Sequence, residues 1–577
     1  MINLKINNIP VSVEPGTTIL EAAKQIGIKI PTLCYMKEIN EIGACRVCVV
    51  EVKGARSLVA ACVYPVNEGM EVFTDTPAVR KSRKTTIELI LSNHNKSCLS
   101  CERNMNCELQ ALSYESGCDA TAFAGEQTPS EIDISTDYLV RDNSKCVLCR
   151  RCVATCKSIQ HVAVIGTKNR GFNTEIGCAF DADLAETSCA ACGQCINVCP
   201  TGALTEKSEI ANVRAALADP TKTVIVGTAP AVRAALGEEF GYPIGTNVEG
   251  KMVTSLRLLG FDKIFDVNFT ADLTIMEESH EFLERVKAGE HLPLITSCSP
   301  GWIRFMEYYY PELIPNISSC KSPQQMFGAC VKTYYAEKMG LDPNDIYVVS
   351  VMPCVAKKFE KNRADQSAAG VPDVDAVLTT RELAKMIKAN GVIFNELPDT
   401  DFDAPLGEHT GAGVIFGATG GVMEAALRTA VETLTGEKLE SVEFEAVRGT
   451  QGIKEATYKV AGLEVSVAVA SGLENAKAIC EQIKNGTCKY QFIEIMGCPG
   501  GCVNGGGQPI QSAFVRRNTD IRALRAKVLY EIDSASKLRK SHENAVVDTL
   551  YKDYFGKPGS HKAHEVLHTS YVKRDKY

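Results

Sequence analysis

Residues 294–302 read LITSCSPGW, and the rest of the chain makes sense as what this stretch requires. Two distant segments share its character, VMPCVAKK at 351–358 and MGCPGGCVNGGGQP at 496–509. Each sets cysteine beside proline or glycine where the pattern reads as a strand end or tight loop, the means by which a backbone bends closely around a group of atoms. No single segment holds enough ligands for a metal cluster. The three together do.

At 577 residues the chain is too long for one core and predicts several domains. A net charge of -8 argues against nucleic acid and against an anionic membrane surface. There is no positively charged start followed by an apolar segment, and no run of about 18 apolar residues, so a soluble, cytoplasmic protein is expected. The 25 cysteines are odd in number, and most fall at two-residue intervals. In such a chain that pattern suits metal ligation better than a disulfide framework.

Residues 1–78 begin with alternation in INLKI, a turn at Asn7 and Asn8, and a second strand around Val11 to Val13. Thr18 and Glu21 stand at capping-box spacing before a short helix, ILEAAKQIG. This order predicts a β-grasp domain. Cys34, Cys45, Cys48 and Cys62 offer it four thiolates for a 2Fe-2S cluster, in a spacing unlike that of plant ferredoxins; zinc is the alternative. Residues 79–118 start with a helical stretch, RKSRKTTIELILSNH, whose last residue, His94, precedes Cys98, Cys101 and Cys107. One imidazole and three thiolates fit zinc or a 4Fe-4S cluster.

Residues 119–139 are polar, lack cysteine and read as a linker. Within 140–210, Cys146, Cys149, Cys152 and Cys156 form one C-x2-C-x2-C-x3-C run, and Cys189, Cys192, Cys195 and Cys199 form another. This is the bacterial two-cluster ferredoxin spacing, in which the fourth cysteine of each run ligates the other cluster. The expected sets are Cys146, Cys149, Cys152 with Cys199, and Cys189, Cys192, Cys195 with Cys156. The first 210 residues therefore read as an electron wire.

Residues 211–577 differ in kind. Runs such as TVIVGTA, LPLIT, IYVVSVMP and GVIFGA read as strands, and ELAKMIKANG and VMEAALRTAVETL as helices, predicting an α/β domain with substantially parallel sheet. The fold class is multidomain, α+β and α/β. GAGVIFGATGG lacks the dinucleotide-binding spacing and no Walker A sequence occurs, so nicotinamide or flavin chemistry would fall to another subunit.

TSCSPGW, MPCVAKKFE and MGCPGGCVNGGGQP resemble, with a few substitutions, the three signature segments of the iron-iron (FeFe) hydrogenases, and the N-terminal cluster order resembles their multi-cluster members. The likeness spans essentially the whole chain and is greatest to the hydrogenase subunit of soluble NAD(P)-linked, electron-bifurcating complexes. It implies reversible hydrogen oxidation and proton reduction at an H-cluster. That group is a 4Fe-4S cubane joined through cysteine sulfur to a diiron centre with carbonyl, cyanide and dithiolate ligands. One 2Fe-2S and three accessory 4Fe-4S clusters would serve it. Implied partners are ferredoxin, flavin and NAD(H)-binding Fe-S subunits, and hydrogenase maturation proteins.

By position the resemblance makes Cys354, Cys498 and Cys502 cubane ligands, with Cys502 bridging to the diiron centre. Lys357 would donate to an iron-bound cyanide. Pro230, Ala231, Gln324, Met352, Phe416 and Met496 would line the pocket, with Ala231 where many relatives carry serine and Gly497 where alanine is usual. The implied proton relay is Cys298, Glu278, Ser318, Glu281 and Arg285. Within DLTIMEESHEFLER, Glu278, Glu281 and Arg285 fall on one helix face, where ordinary ion pairs would look the same. Cys118, Cys178, Cys320, Cys330, Cys480 and Cys488 have no spacing partner and read as buried thiols.

One position departs from the family. Its members carry a second cysteine where this chain has Ser299, a harder and poorer ligand for iron. Three arrangements are open: Ser299 ligates through oxygen, Cys298 turns in and leaves the relay, or the cubane has three protein thiolates. The first is the expectation. Two other functional classes compete, an electron-carrier subunit of an NADH or formate dehydrogenase type complex, and a homologue that senses hydrogen or assists cluster assembly without turnover.

Overall fold

The computed structural model describes residues 1–439, 441–460 and 463–576. Strands Ile2–Ile6 and Ile9–Val13 form the expected hairpin, with Asn7 and Asn8 at φ +48° and +67°. Two left-handed residues match the twist of the flanking strands, and asparagine tolerates that conformation. The hairpin is one edge of a five-stranded sheet. Helix Ile19–Gln25 starts where the Thr18 hydroxyl accepts the Glu21 amide at 3.3 Å, and it buries Ile19, Leu20, Ala22 and Ala23 on that sheet. Helix Pro77–Ser92 follows and delivers His94 just past its end.

The linker expectation holds only in part. Ile132–Asp133 pairs with Leu139–Asp142, which pairs in turn with Leu204–Glu206, so the second half of 119–139 belongs to a three-stranded sheet. Polarity misled here because Asp133 is a buried anchor: it takes Arg141 at 3.0 Å and the amides of Ser135 and Leu184.

Two four-stranded sheets carry the remainder. One is wholly parallel, in the order Lys263–Asp266, Thr223–Thr228, Ile346–Met352, Ala376–Thr379. The other places Leu294–Ile295, Phe492–Met496 and Leu463–Ser471 in parallel and closes with antiparallel Ile453–Val460. GVIFGA, expected to be a strand, instead begins within helix Gly411–Ile415, packed between helices Asn268–Ala288 and Ile521–Ala535. A short apolar run cannot separate a buried strand from a buried helix. The glycines explain the packing: a Cβ on Gly413 would lie 2.6 Å from the Asn268 carbonyl oxygen, and one on Gly417 2.5 Å from Leu529.

Four parallel strands open onto the site at their carboxyl ends. Thr228, Ile295, Met352 and Met496 lead directly into residues 229–231, 296–299, 353–354 and 497–502. Parallel sheets bind ligands outside the carboxyl ends of their strands, and all three cysteine motifs emerge there. Among the described residues no helix is long and apolar enough to cross a membrane.

Candidate metal centre

The three motifs converge. Burial raises the Cys354 thiol, and raises Cys502 to about 12; each of Cys498 and Cys502 also feels the charge of Cys354, and Cys498 that of Cys502. With Cys298 these are four half-buried thiols, none of them in a disulfide, a donor set that suits iron. Glycine permits the approach. Gly501 has φ +92°, and a Cβ there would stand 2.6 Å from the Thr419 nitrogen.

The positions that the resemblance assigns to the pocket are all buried: Pro230, Ala231, Gln324, Met352, Phe416 and Met496. Phe416 and Met496 share an apolar cluster with Cys298 and Cys502. Gln324 is held by the Ser350 hydroxyl at 2.8 Å and donates to Glu360 at 3.2 Å. The Ser299 hydroxyl accepts the Gly497 amide at 3.0 Å, so it points at the turn carrying Cys498, whereas Cys298 feels the charge of Glu278. The two neighbours face different ways.

Lys357 sits beside Cys298 with protein partners of its own. Its ammonium contacts Ser322 at 2.8 Å, Glu360 at 2.9 Å and the Cys298 carbonyl at 3.2 Å, which accounts for all three of its N–H donors. Glu360, three residues on in the same motif, is thus a partner that the sequence reading passed over.

Behind Cys298 runs a line of polar groups. Burial, with Glu278, Cys502 and Glu494 nearby, keeps the Cys298 thiol well above its ordinary value, hence protonated. Burial pushes Glu278 up to about 8, with Glu281 adding to it and hydrogen bonding with the Ser318 side chain and the Ser297 amide opposing it. The Oε1 atom of Glu278 has no hydrogen-bond partner among the described residues. Ser318 donates to Glu281 at 3.0 Å, and Glu281 pairs with Arg285 at 2.6 Å. Glu278, Ser318, Glu281 and Arg285 are linked by hydrogen bonds, and Cys298 lies near enough to feel the Glu278 charge.

Most of the other cysteines fall into groups. Cys146, Cys149, Cys152 and Cys199 line one cavity, and Cys156, Cys189, Cys192 and Cys195 line another, the crossed pattern of a two-cluster ferredoxin. In the N-terminal sheet region, Cys48 and Cys62 have sulfurs 3.4 Å apart, the Cys45 amide reaches the Cys34 sulfur at 3.4 Å, and the Cys62 thiol feels the other three. His94 is buried, held near pKa 4 by burial and by Lys145, and its Nδ1 has no hydrogen-bond partner among the described residues. A neutral imidazole with a free ring nitrogen is what a metal ligand needs. Lys145 also feels the charge of Cys101, and Cys101 contributes to raising Cys107, whose main cause is burial.

The ferredoxin-type region and the three-motif site meet closely: Cys498 feels the charge of Cys192. A Cβ on Gly506 would fall 2.5 Å from the Cys192 carbonyl oxygen, so the glycine run lets the catalytic loop lie directly on the ferredoxin-type turn. Gln194 donates to the Asn504 carbonyl at 2.8 Å, Asn197 to Gly505 at 3.0 Å and Gln160 to Gly497 at 2.9 Å.

Family models match along the whole length. They are the 2Fe-2S iron-sulfur cluster binding domain at 1–77, the NADH-ubiquinone oxidoreductase-G iron-sulfur binding region at 83–121, and the ferredoxin-like domain of NADH-quinone oxidoreductase subunit 3 at 137–205. The C-terminal domain of the iron only hydrogenase large subunit matches 222–506, and the iron hydrogenase small subunit 519–574. The NADP-reducing hydrogenase subunit HndD of Solidesulfovibrio fructosivorans is 49% identical over 100% of both chains. The chain belongs to the FeFe hydrogenase family. Iron hydrogenase 1 of Clostridium pasteurianum is 44% identical, covering 98% of this chain and 99% of its own. A solved structure of a variant apo FeFe-hydrogenase HydA1 from Chlamydomonas reinhardtii matches at 43% identity and TM-score 0.57, over 64% of this chain and 100% of that one.

This FeFe hydrogenase is an oxidoreductase acting on hydrogen, with iron-sulfur clusters and the H-cluster as its cofactors. The residues present fit such a group: the thiols converge, the surrounding positions are buried and largely apolar, and Glu278, whose charge Cys298 feels, keeps one oxygen without a partner among the described residues. Among the unpaired cysteines, Cys178, Cys320, Cys330 and Cys480 are buried as expected, but Cys118 and Cys488 are partly exposed. Cys118 lies against the Lys84 carbonyl at the protein surface and Cys488 in a loop after a helix, where neither lies under a sheet.

Proposed function

We propose that this chain is the hydrogen-converting subunit of a cytoplasmic, multi-subunit enzyme that exchanges electrons with ferredoxin and with flavin and NAD(P)(H)-binding Fe-S partners, bifurcating them between the two. The observation that carries this is the unbroken cysteine sequence from the N-terminal sheet to Cys192, ending against Cys498. The electron-exchanging units are residues 1–78, 79–118 and 140–210, with 211–577 as the catalytic unit. They hold one 2Fe-2S cluster on Cys34, Cys45, Cys48 and Cys62, a 4Fe-4S cluster on His94, Cys98, Cys101 and Cys107, and two more on the crossed sets.

Cys354, Cys498, Cys502 and the Ser299 oxygen would hold the cubane of the H-cluster, matured by dedicated assembly proteins. When bound, the group supplies the redox centre at which hydrogen is split or formed, with carbonyl, cyanide and dithiolate ligands on its diiron part. The chain's own residues move the proton. During hydrogen oxidation the Cys298 thiol gives its proton to Glu278 as it receives another, Glu278 passes it through the Ser318 hydroxyl, and Glu281 receives it beside Arg285. Each step joins groups that both accept and donate. Lys357, oriented by Glu360 and Ser322, places a positive charge at the pocket wall, and a modest shift of its ammonium would serve an iron-bound cyanide.

Infrared spectroscopy and metal analysis of the matured protein test the reading, together with hydrogen-dependent reduction of ferredoxin and of NAD(P) by the chain with its co-purified partners. Carbonyl and cyanide bands with partner-dependent NAD(P) reduction are expected. Absence of the bands from a fully matured sample refutes catalysis. Reduction of ferredoxin alone, with all partners present, refutes the multi-subunit assignment. The reading without turnover is favoured by Ser299 alone and predicts bands without hydrogen turnover.

A further inference from the structure

The relay delivers its proton to Glu281, and Arg285 cannot take it further, because a guanidinium is already fully protonated and does not give its proton up. Arg285 donates to Glu281 and to the carbonyls of His291, Pro315 and Ile317, which makes it an anchor for the carboxylate. A chain of proton carriers needs a titratable group next. One is present, and it comes from the far end of the sequence.

His568 lies just beyond helix His561–Leu567 and pairs by a β-bridge with Cys320. One of its ring nitrogens, a Glu281 carboxylate oxygen and the Cys320 sulfur lie within 4.8 Å of one another. Its Nδ1 is 2.8 Å from the hydroxyl of Ser319, whose own amide donates to Glu281 at 3.1 Å. Its Nε2 is 3.2 Å from Glu277, which also accepts the Tyr551 hydroxyl at 2.5 Å and the Gly559 amide at 2.9 Å. Burial raises Glu277, but these bonds outweigh it and hold the group below its ordinary value, so it stays a carboxylate. The His568 side chain is 6% exposed. Its ring lies 4.0 Å from that of His564, which is exposed.

We propose that His568 is the outer proton-exchange residue of this hydrogenase, taking protons from Glu281 during hydrogen oxidation and returning them during production, with His564 as its contact with solvent. This rests on the relay ending at Glu281. In the outward step the O–H bond of the Glu281 carboxylic acid breaks and an N–H bond forms at Nδ1, across a gap that the Ser319 hydroxyl or one water spans. The resulting carboxylate is received by Arg285 and the Ser319 amide. The imidazolium is received by Glu277 on its opposite nitrogen, and then loses a proton toward His564 and water. Titratable groups facing the ring are Glu277 and Glu281 from the long helix, Cys320 from the loop beside it, and His564 from its own helix, with Tyr551 reached through Glu277 and His280 beyond His564.

The simpler role for the same contacts is a staple fastening the C-terminal segment to the long helix. The test is therefore His568→Gln, which keeps donor and acceptor atoms for Ser319 and Glu277 but carries no proton, alongside His568→Ala, which leaves room for free imidazole. Both are made in the matured, cluster-loaded chain and compared with Glu281→Gln, with iron content and the EPR signals of the clusters as controls. H568Q should keep iron content and signals, lose about tenfold in both directions of turnover, and depart from the wild-type pH profile. Imidazole should restore H568A. A wild-type rate and pH profile in H568Q, while E281Q is severely impaired, overturns the proposal and leaves Glu281 exchanging directly with water. A loss in H568Q that comes with lost iron, or that imidazole cannot restore in H568A, overturns it in favour of the staple. If E281Q itself turns over normally, the underlying relay fails first.

Discussion

Glu278 sets the tightest quantitative constraint on the relay. With its carboxyl near pKa 8, the anionic fraction is about a tenth at pH 7, about half at pH 8 and about nine tenths at pH 9, since each unit is tenfold. In hydrogen oxidation Glu278 must be empty to take the proton of Cys298. Where proton transfer limits turnover, the oxidation rate should climb nearly tenfold per unit up to pH 8 and then level. Production needs the protonated form, so it should be level below pH 8 and fall above it. The sign follows from the cause: burial raises the pKa, favouring the neutral acid. Glu278→Gln removes both inflections and should cost about 10²–10⁴-fold in turnover. The assay is hydrogen uptake and evolution with saturating artificial electron carriers, paired with infrared detection of the C=O stretch of a dry protonated carboxyl that E278Q lacks. An oxidation rate flat from pH 6 to 8 in a regime with a solvent isotope effect would falsify the assignment, as would E278Q retaining a third of wild-type turnover.

Further outcomes follow from the same geometry. Ser299→Ala should lose the catalytic cubane, about four iron atoms per chain, while Ser299→Cys keeps it; equal iron in both variants removes Ser299 from the ligand set. Gly501→Ala places a Cβ 2.6 Å from the Thr419 nitrogen at φ +92°, so it should destabilise the loop by more than about 1 kcal/mol and lower cubane occupancy, measured as iron per chain. His94→Ala should remove one accessory EPR signal and leave the infrared bands of the catalytic site in place. Gln194→Ala, which takes away the donor to Asn504, should slow reduction of the catalytic cubane by the neighbouring cluster in stopped-flow traces without changing iron content.

The grouping of the ferredoxin-type cysteines was legible because each run is local: Cys146 to Cys156 and Cys189 to Cys199 each fit within eleven consecutive residues. The hairpin at Asn7 and Asn8 and the helix capped by Thr18 were legible for the same reason, each a short-range device. The proposed relay came only from a likeness, since spacing put Glu278, Glu281 and Arg285 on one helix face but said nothing of Ser318 across from them. What escaped was long-range. Gln160 and Gly497 are 337 residues apart and His568 and Ser319 are 249 apart, and neither pair leaves a periodic or compositional trace. GVIFGA escaped because burial on all sides erases the difference between a helix and a strand.

The bonds from Gln160, Gln194 and Asn197 to the catalytic loop bear on protein engineering. A boundary near residue 210 invites recombination, with a foreign ferredoxin unit grafted onto the hydrogen-converting half. The seam is not there. It runs between Cys192 and Gly506, where the two halves meet backbone to backbone, with Asn197 bonded to Gly505 beside them. A chimera that carries over the cysteine spacing but not these three amides would inherit a conductor that no longer touches its electrode.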